Sequence, residues 1–123
     1  MTTIEQTILA NLIHNEQYTR KVLPFIKGDY FADRIDRIIF EEIQKFTDKY
    51  NALPNKTSLQ VELESRKDLN EDDYKQVSSV VKELQNEDNE NFEWLVDTTE
   101  DFCKDKALYI AIMDGINFID VYD

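Results

Sequence analysis

Between Asp29 and Pro54 the large apolar residues fall at steps of three and four. Ile35, Ile39, Ile43, Phe46 and Tyr50 therefore share one face of a helix, and Ile38 and Phe40 widen that stripe. Arg34, Arg37, Glu41, Glu42, Lys45, Asp48 and Lys49 take the other faces. Asp33 or the residue beside it can cap the start, and Asn51 followed by Pro54 ends the run. The pattern predicts the central core helix of a small all-helical domain.

The same reading extends in both directions. Thr2 and Glu5 have capping-box spacing, opening a first helix to about His14 with Ile4, Ile8 and Leu12 as its stripe and Leu9 and Ile13 beside it. Asn15-Glu16 makes a turn and a new cap, and a short second helix carries Tyr18, Val22 and Leu23 towards Ile26. Gly28 is expected to close it with a positive φ. Beyond the central helix, Asn55 or Thr57 starts a short helix bearing Leu59 and Leu63 and ending around Arg66. Asn70 with Asp73 opens another, with Tyr74, Val77, Val81 and Leu84 at core spacing. The polar, acidic run from Asn86 to Asn91 reads as a loop.

The last predicted helix begins near Asn91 and changes character along its length. Up to Lys106 it is one-sided, with Leu95, Thr99 and Phe102 on a single face. From Ala107 to Met113 it is apolar all round: Tyr109, Met113 and Ile116 continue the first stripe, while Leu108, Ile112 and Ile119 form a second on a nearly opposite side. A helix apolar on every side must be covered on every side. Either it runs through the middle of its own bundle, or the second stripe meets another chain or a further segment of this one. The expectation is an interface at Leu108, Ile112 and Ile119.

Composition narrows the class. With 123 residues the chain suits one domain, and two Gly and two Pro favour helices over tight hairpins. The formal charge is −12, and the excess is confined to residues 61–123, which hold eighteen acidic and six basic side chains against eight of each before them. Such a surface repels phosphate, so little direct nucleic-acid or anionic-membrane binding is expected. It either aids solubility or docks a basic partner. One cysteine, Cys103, rules out an internal disulfide and fits a reducing cytoplasm. No apolar run approaches membrane length.

Catalytic chemistry is missing from the pattern. Gly28 and Gly115 are the only glycines, too few for a phosphate-cradling loop. His14 and Cys103 stand alone, so no zinc site can be drawn. The stretch Asp68-Leu-Asn70-Glu-Asp72-Asp73 starts like a calcium loop, but Asp73 and Ser79 occupy positions that need Gly and Glu. Glu41-Glu42 and Glu100-Asp101 are neighbours in sequence, point to different helix faces, and read as solvated charge.

Several stretches resemble a known family. Glu5-Gln6-Thr7-Ile8-Leu9-Ala10-Asn11-Leu12 resembles the opening helix of the N-terminal domain of DnaB-type replicative helicases, Glu-Gln-x-x-Leu-Gly-x-Leu. Phe31, Asp33, Arg37, Ile39 and Phe40 match that family's Phe-x-Asp-x-x-His-Arg-x-Ile-Phe run, followed by a helix ending near Tyr50 and a proline turn at Pro54. Trp94-Leu95-Val96 with Thr99-Glu100 is similar to the helicases of T-even-like phages. Ala10 stands where Gly is usual, and Asp36 replaces the usual His. Any contact made by that histidine does not carry over.

The resemblance implies an all-α domain of about six helices over residues 1–123, whose long C-terminal helix begins a hairpin that packs on a neighbouring subunit. It implies a non-catalytic collar of a hexameric DNA helicase, serving subunit association as a dimer or hexamer and contacting primase and a helicase loader in the cytoplasm. ATP and Mg would belong to a motor domain outside this sequence, so the chain reads as a fragment with no cofactor of its own. The rival reading is a free-standing acidic helical protein that mimics DNA or inhibits a DNA-binding enzyme.

Overall fold

The computed structural model describes residues 3–85 and 91–122, with side chains described as far as Ile116. Among them are six α-helices and no strand: α1 (Ile4–His14), α2 (Glu16–Val22), α3 (Arg34–Tyr50), α4 (Lys56–Glu64), α5 (Glu71–Glu83) and α6 (Phe92–Tyr122). Two 3-10 turns, Leu23–Phe25 and Gly28–Tyr30, join α2 to α3. Helix α3 lies at the centre, touching α1, α4, α5 and the second turn, while α6 leans on α2 and that turn.

Short polar side chains set most of the boundaries by taking up backbone N–H groups that a helix start leaves unpaired. Thr3, rather than Thr2, caps α1, accepting from Gln6 N at 3.1 Å; Thr2 lies outside the described residues. Asn15 serves two helices at once: its N–H bonds back to Asn11 O, and its side chain accepts from Tyr18 N at 3.0 Å. Asn55 with Ser58 and Asn70 with Asp73 form reciprocal capping boxes. Asn91 accepts from Trp94 N at 3.0 Å and starts α6; residues 86–90, expected as a loop, lie outside the described part.

Gly28 departs from expectation. No described glycine has a positive φ. Pro24 has already broken α2, and Gly28 opens the second 3-10 turn instead of closing a helix. The left-handed position is Asn51, φ 51°, at the end of α3, where a short amide side chain tolerates it.

The buried face of α3 is wider and set nearer its start than the stripe suggested. Ile38, Ile39, Phe40 and Ile43 are buried, Ile35 and Phe46 only partly, and Tyr50 is 51% exposed. The core neighbours of α3 stop short of its last turn, and there Phe46 and Tyr50 pack on each other with ring centroids 4.7 Å apart. Two acids also lie inside, against expectation: Asp36 and Glu42 are 7% and 3% exposed. Glu42 is covered by Arg66, which reaches over from the end of α4. Its guanidinium grips Asp68 at 2.6 and 2.8 Å and lies 3.6 Å from both Glu41 and Glu42. Burial raises the Glu42 carboxyl, with Lys45 and Arg66 opposing. Arg66 holds exposed Asp68 down at about 2, chiefly through their hydrogen bonds.

Phe40→Ala and Ile39→Ala should each cost about 3–5 kcal/mol in urea unfolding, the usual loss for emptying a sealed core position. Phe46→Ala should cost clearly less, because its ring is half out of the core. Equal losses at Phe46 and Phe40 would contradict this layout.

Candidate interaction surface

The family-like residues at the start of α3 form a bracket. Asp33 caps the helix through Ile35 N at 2.8 Å. Arg37, one turn on, turns its guanidinium back and donates to Phe31 O at 3.2 and 3.4 Å, tying the helix to the turn before it. Phe31 and Phe40, both fully buried, stack at 5.1 Å, and Phe102 of α6 lies 6.0 Å from Phe31. Ile39 and Pro54 are buried as well, whereas Tyr50 belongs to the surface. The bracket therefore roots α6 on the body.

A second tie acts beside it. Thr99 donates its hydroxyl to Leu95 O at 2.8 Å, which leaves Tyr18 to donate to Thr99 Oγ1 at 2.6 Å. Both groups are buried, so the bond joins α2 to α6 where water cannot substitute.

Along α6 the burial changes abruptly. Leu95, Val96, Thr99, Phe102 and Cys103 are buried. Past Ala107 the body ends and the helix continues without it. Leu108 and Tyr109 are each 61% exposed and Ile112 53%; Met113 and Ile116 are exposed too, and Ile110 alone keeps partial contact with the core. The reading that α6 runs through the middle of its own bundle is thereby excluded for the described residues. Tyr109, Met113 and Ile116, expected to continue the first stripe, are exposed rather than buried against the body. Of the three expected interface residues, Leu108 and Ile112 stand on this bare segment, and the side chain of Ile119 lies outside the described part.

At the foot of the bare segment is an apolar groove of about 430 Å³ between Phe25, Tyr30, Glu100, Cys103, Lys104 and Ala107. Burial, with Glu100 nearby, pushes the Cys103 thiol up to about 11, so it is protonated and unreactive at neutral pH. His14 sits at the far end of the domain, with Nε2 3.4 Å from Leu84 O, where it links the ends of α1 and α5. Among the described residues no group of three or more His, Cys, Asp or Glu could hold a metal, and no helix is long and apolar enough to cross a membrane.

Within the family-like run, Asp36 has a perturbed carboxyl. Burial first, and then the charges of Asp33 and Glu5, push its carboxyl from the ordinary 3.8 up to about 6. Sequence reasoning had marked this residue only as a departure from the family. Residues of α1 and α5, which both pack on α3, line the groove beside it, and α3 periodicity does not reveal them.

The described residues assemble a helical body whose central helix has a cap-and-bracket start. The sequence matches the family model described as "DnaB-like helicase N terminal domain" over residues 1–93, and the chain belongs to that family. It is also 28% identical over 106 residues to the "DnaB-like replicative helicase" of Enterobacteria phage T4. That alignment takes in 86% of this chain and 22% of the relative, so the chain spans about a fifth of that helicase. The match falls on the N-terminal domain and leaves the catalytic motor uncovered.

The raised carboxyl of Asp36 fixes the sign of a pH effect. The folded chain holds the proton more tightly than the unfolded one, so stability falls as pH rises from about 4 through about 6. At neutral pH the ionised form costs at most roughly 3 kcal/mol, and less as far as water in the groove screens the charge. Asp36→Asn should therefore raise the urea midpoint at pH 8, and its curve should merge with the wild-type curve below pH 4. A difference that did not change with pH would disprove the assignment.

Proposed function

We propose that this domain is the non-catalytic collar of a hexameric replicative DNA helicase, bringing subunits together and docking the primase during DNA replication. The observation that carries the reading is the bare apolar segment of α6 from Leu108 to Ile116. Four large aliphatic side chains and a tyrosine held in water on one helix are a standing cost, removed when a partner covers them. Membership of a family that is generally oligomeric makes another subunit the natural partner. The groove at the foot of the segment continues the same apolar surface onto the body, offering a seat for the edge of a neighbouring helix.

Primase docking rests on the family resemblance, and the acidic second half of the chain suits a basic partner better than it suits DNA. ATP hydrolysis and strand separation would belong to the motor domain of the complete helicase.

Sedimentation equilibrium over a wide concentration range, run beside Ile112→Asp, tests the subunit contact. The expected result is a concentration-dependent dimer that the substitution abolishes, while helical content and the melting of the dilute monomer stay unchanged, because Ile112 is exposed outside the core. A monomer in both, or a dimer indifferent to the substitution, would remove this surface from the proposal.

A further inference from the structure

We propose that the groove between α1, α3 and α5 is a binding site for an arginine side chain presented by a partner protein. The groove has a volume of about 420 Å³ and lies on the body, built from residues other than those of the bare α6 surface. Asp36 lines it and is more than nine-tenths buried. Among the described residues, no hydrogen-bond donor and no cation pairs with its carboxylate. The two groups that act on it electrostatically, Asp33 and Glu5, are both acidic. The Asp36 carboxylate oxygens are not sealed from the groove, and an ionised carboxylate beside two further acids attracts a cation arriving from outside.

The other lining residues narrow the identity of the cation. No cluster fit for a metal exists among the described residues, and Asp33 is occupied in capping α3. Gln6, Gln76 and Ser79 supply further side-chain oxygens, while Ile35 and Val80 provide apolar walls. A planar guanidinium suits such a site. Its five N–H groups can bond one carboxylate and neighbouring amide oxygens together, and its weak hydration lets it lie against apolar surface. An ammonium group offers fewer fixed directions and loses more hydration. Lys75 also borders the groove, but its Nζ lies 3.7 Å from Glu71 on an exposed side chain. The nearest internal cation is thus directed elsewhere.

The test is an NMR titration of the amide signals of this chain with N-acetyl-arginine methylamide at pH 7.5. N-acetyl-citrulline methylamide, the uncharged near-isostere, serves as the matched probe. The expected result is saturable shifts centred on Gln6, Gln76 and Ser79, with a dissociation constant on the order of millimolar for a single side chain. Citrulline, and Asp36→Asn with the arginine probe, should each bind about tenfold more weakly, as expected for losing a charge-assisted pair. The citrulline comparison uses the unaltered chain, so it decides the matter even if the variant fails to fold. Equal binding of the two probes, or shifts spread over the surface without saturation, would overturn the proposal. So would arginine binding that appears only in Lys75→Ala, which would make Lys75 the natural occupant.

Discussion

The stack of Phe31 on Phe40, with Phe102 beside it, joins three parts of the chain. Phe40 belongs to the central helix, Phe31 to the turn that precedes it, and Phe102 approaches from the last helix some sixty residues later. The geometry holds because Asp33 fixes where α3 begins and Arg37 clamps the carbonyl of Phe31. One aromatic cluster with its polar clamp thus decides where α6 leaves the body. The run shared with DnaB-type helicases reads, in physical terms, as the fixture for the helix that carries the exposed apolar surface.

Much of this was legible because helix starts and stripes are local. Asn15, Asp33, Asn55 and Asn70 cap helices as their positions suggested, and Asn51 ends α3 where it was expected to. The hidden features all depend on what lies opposite. Periodicity locates a face but cannot say how far along that face the neighbours extend, so Tyr50 and Tyr109 were assigned to stripes whose partners end sooner. Nor does it say which polar residues a second layer will cover. Asp36 and Glu42 carry the same charge and sit on the same helix, yet Glu42 is answered by Arg66 and Asp36 by no cation among the described residues. Gly28 was misjudged for a related reason, since Pro24 had already ended the helix that Gly28 was expected to close.

The exposed apolar segment of α6 was readable in part for the opposite reason. An unbroken apolar run such as Ala107 to Met113 leaves no polar face to turn towards water, so its need for cover is visible without any fold. The groove at Asp36 had no such signature, because it is assembled from three helices distant in sequence. Its residues are individually ordinary and acquire meaning only by being brought together.

Helix α6 is held mainly over its first turns, by Leu95, Thr99 and Phe102, with a last partial contact at Ile110. Its large apolar side chains beyond that contact, as far as Ile116, are exposed. That makes it a lever with its fulcrum in the aromatic cluster. At 1.5 Å per residue, Ile116 lies about 21 Å beyond Phe102, so a 10° tilt at the root swings it roughly 4 Å sideways. Small differences in how Phe31, Tyr18 and Thr99 pack would therefore be magnified into the spacing between neighbouring domains. If subunits associate through this helix as proposed, the diameter and symmetry of the assembly would be set partly from within the core, by residues that do not themselves touch the neighbour.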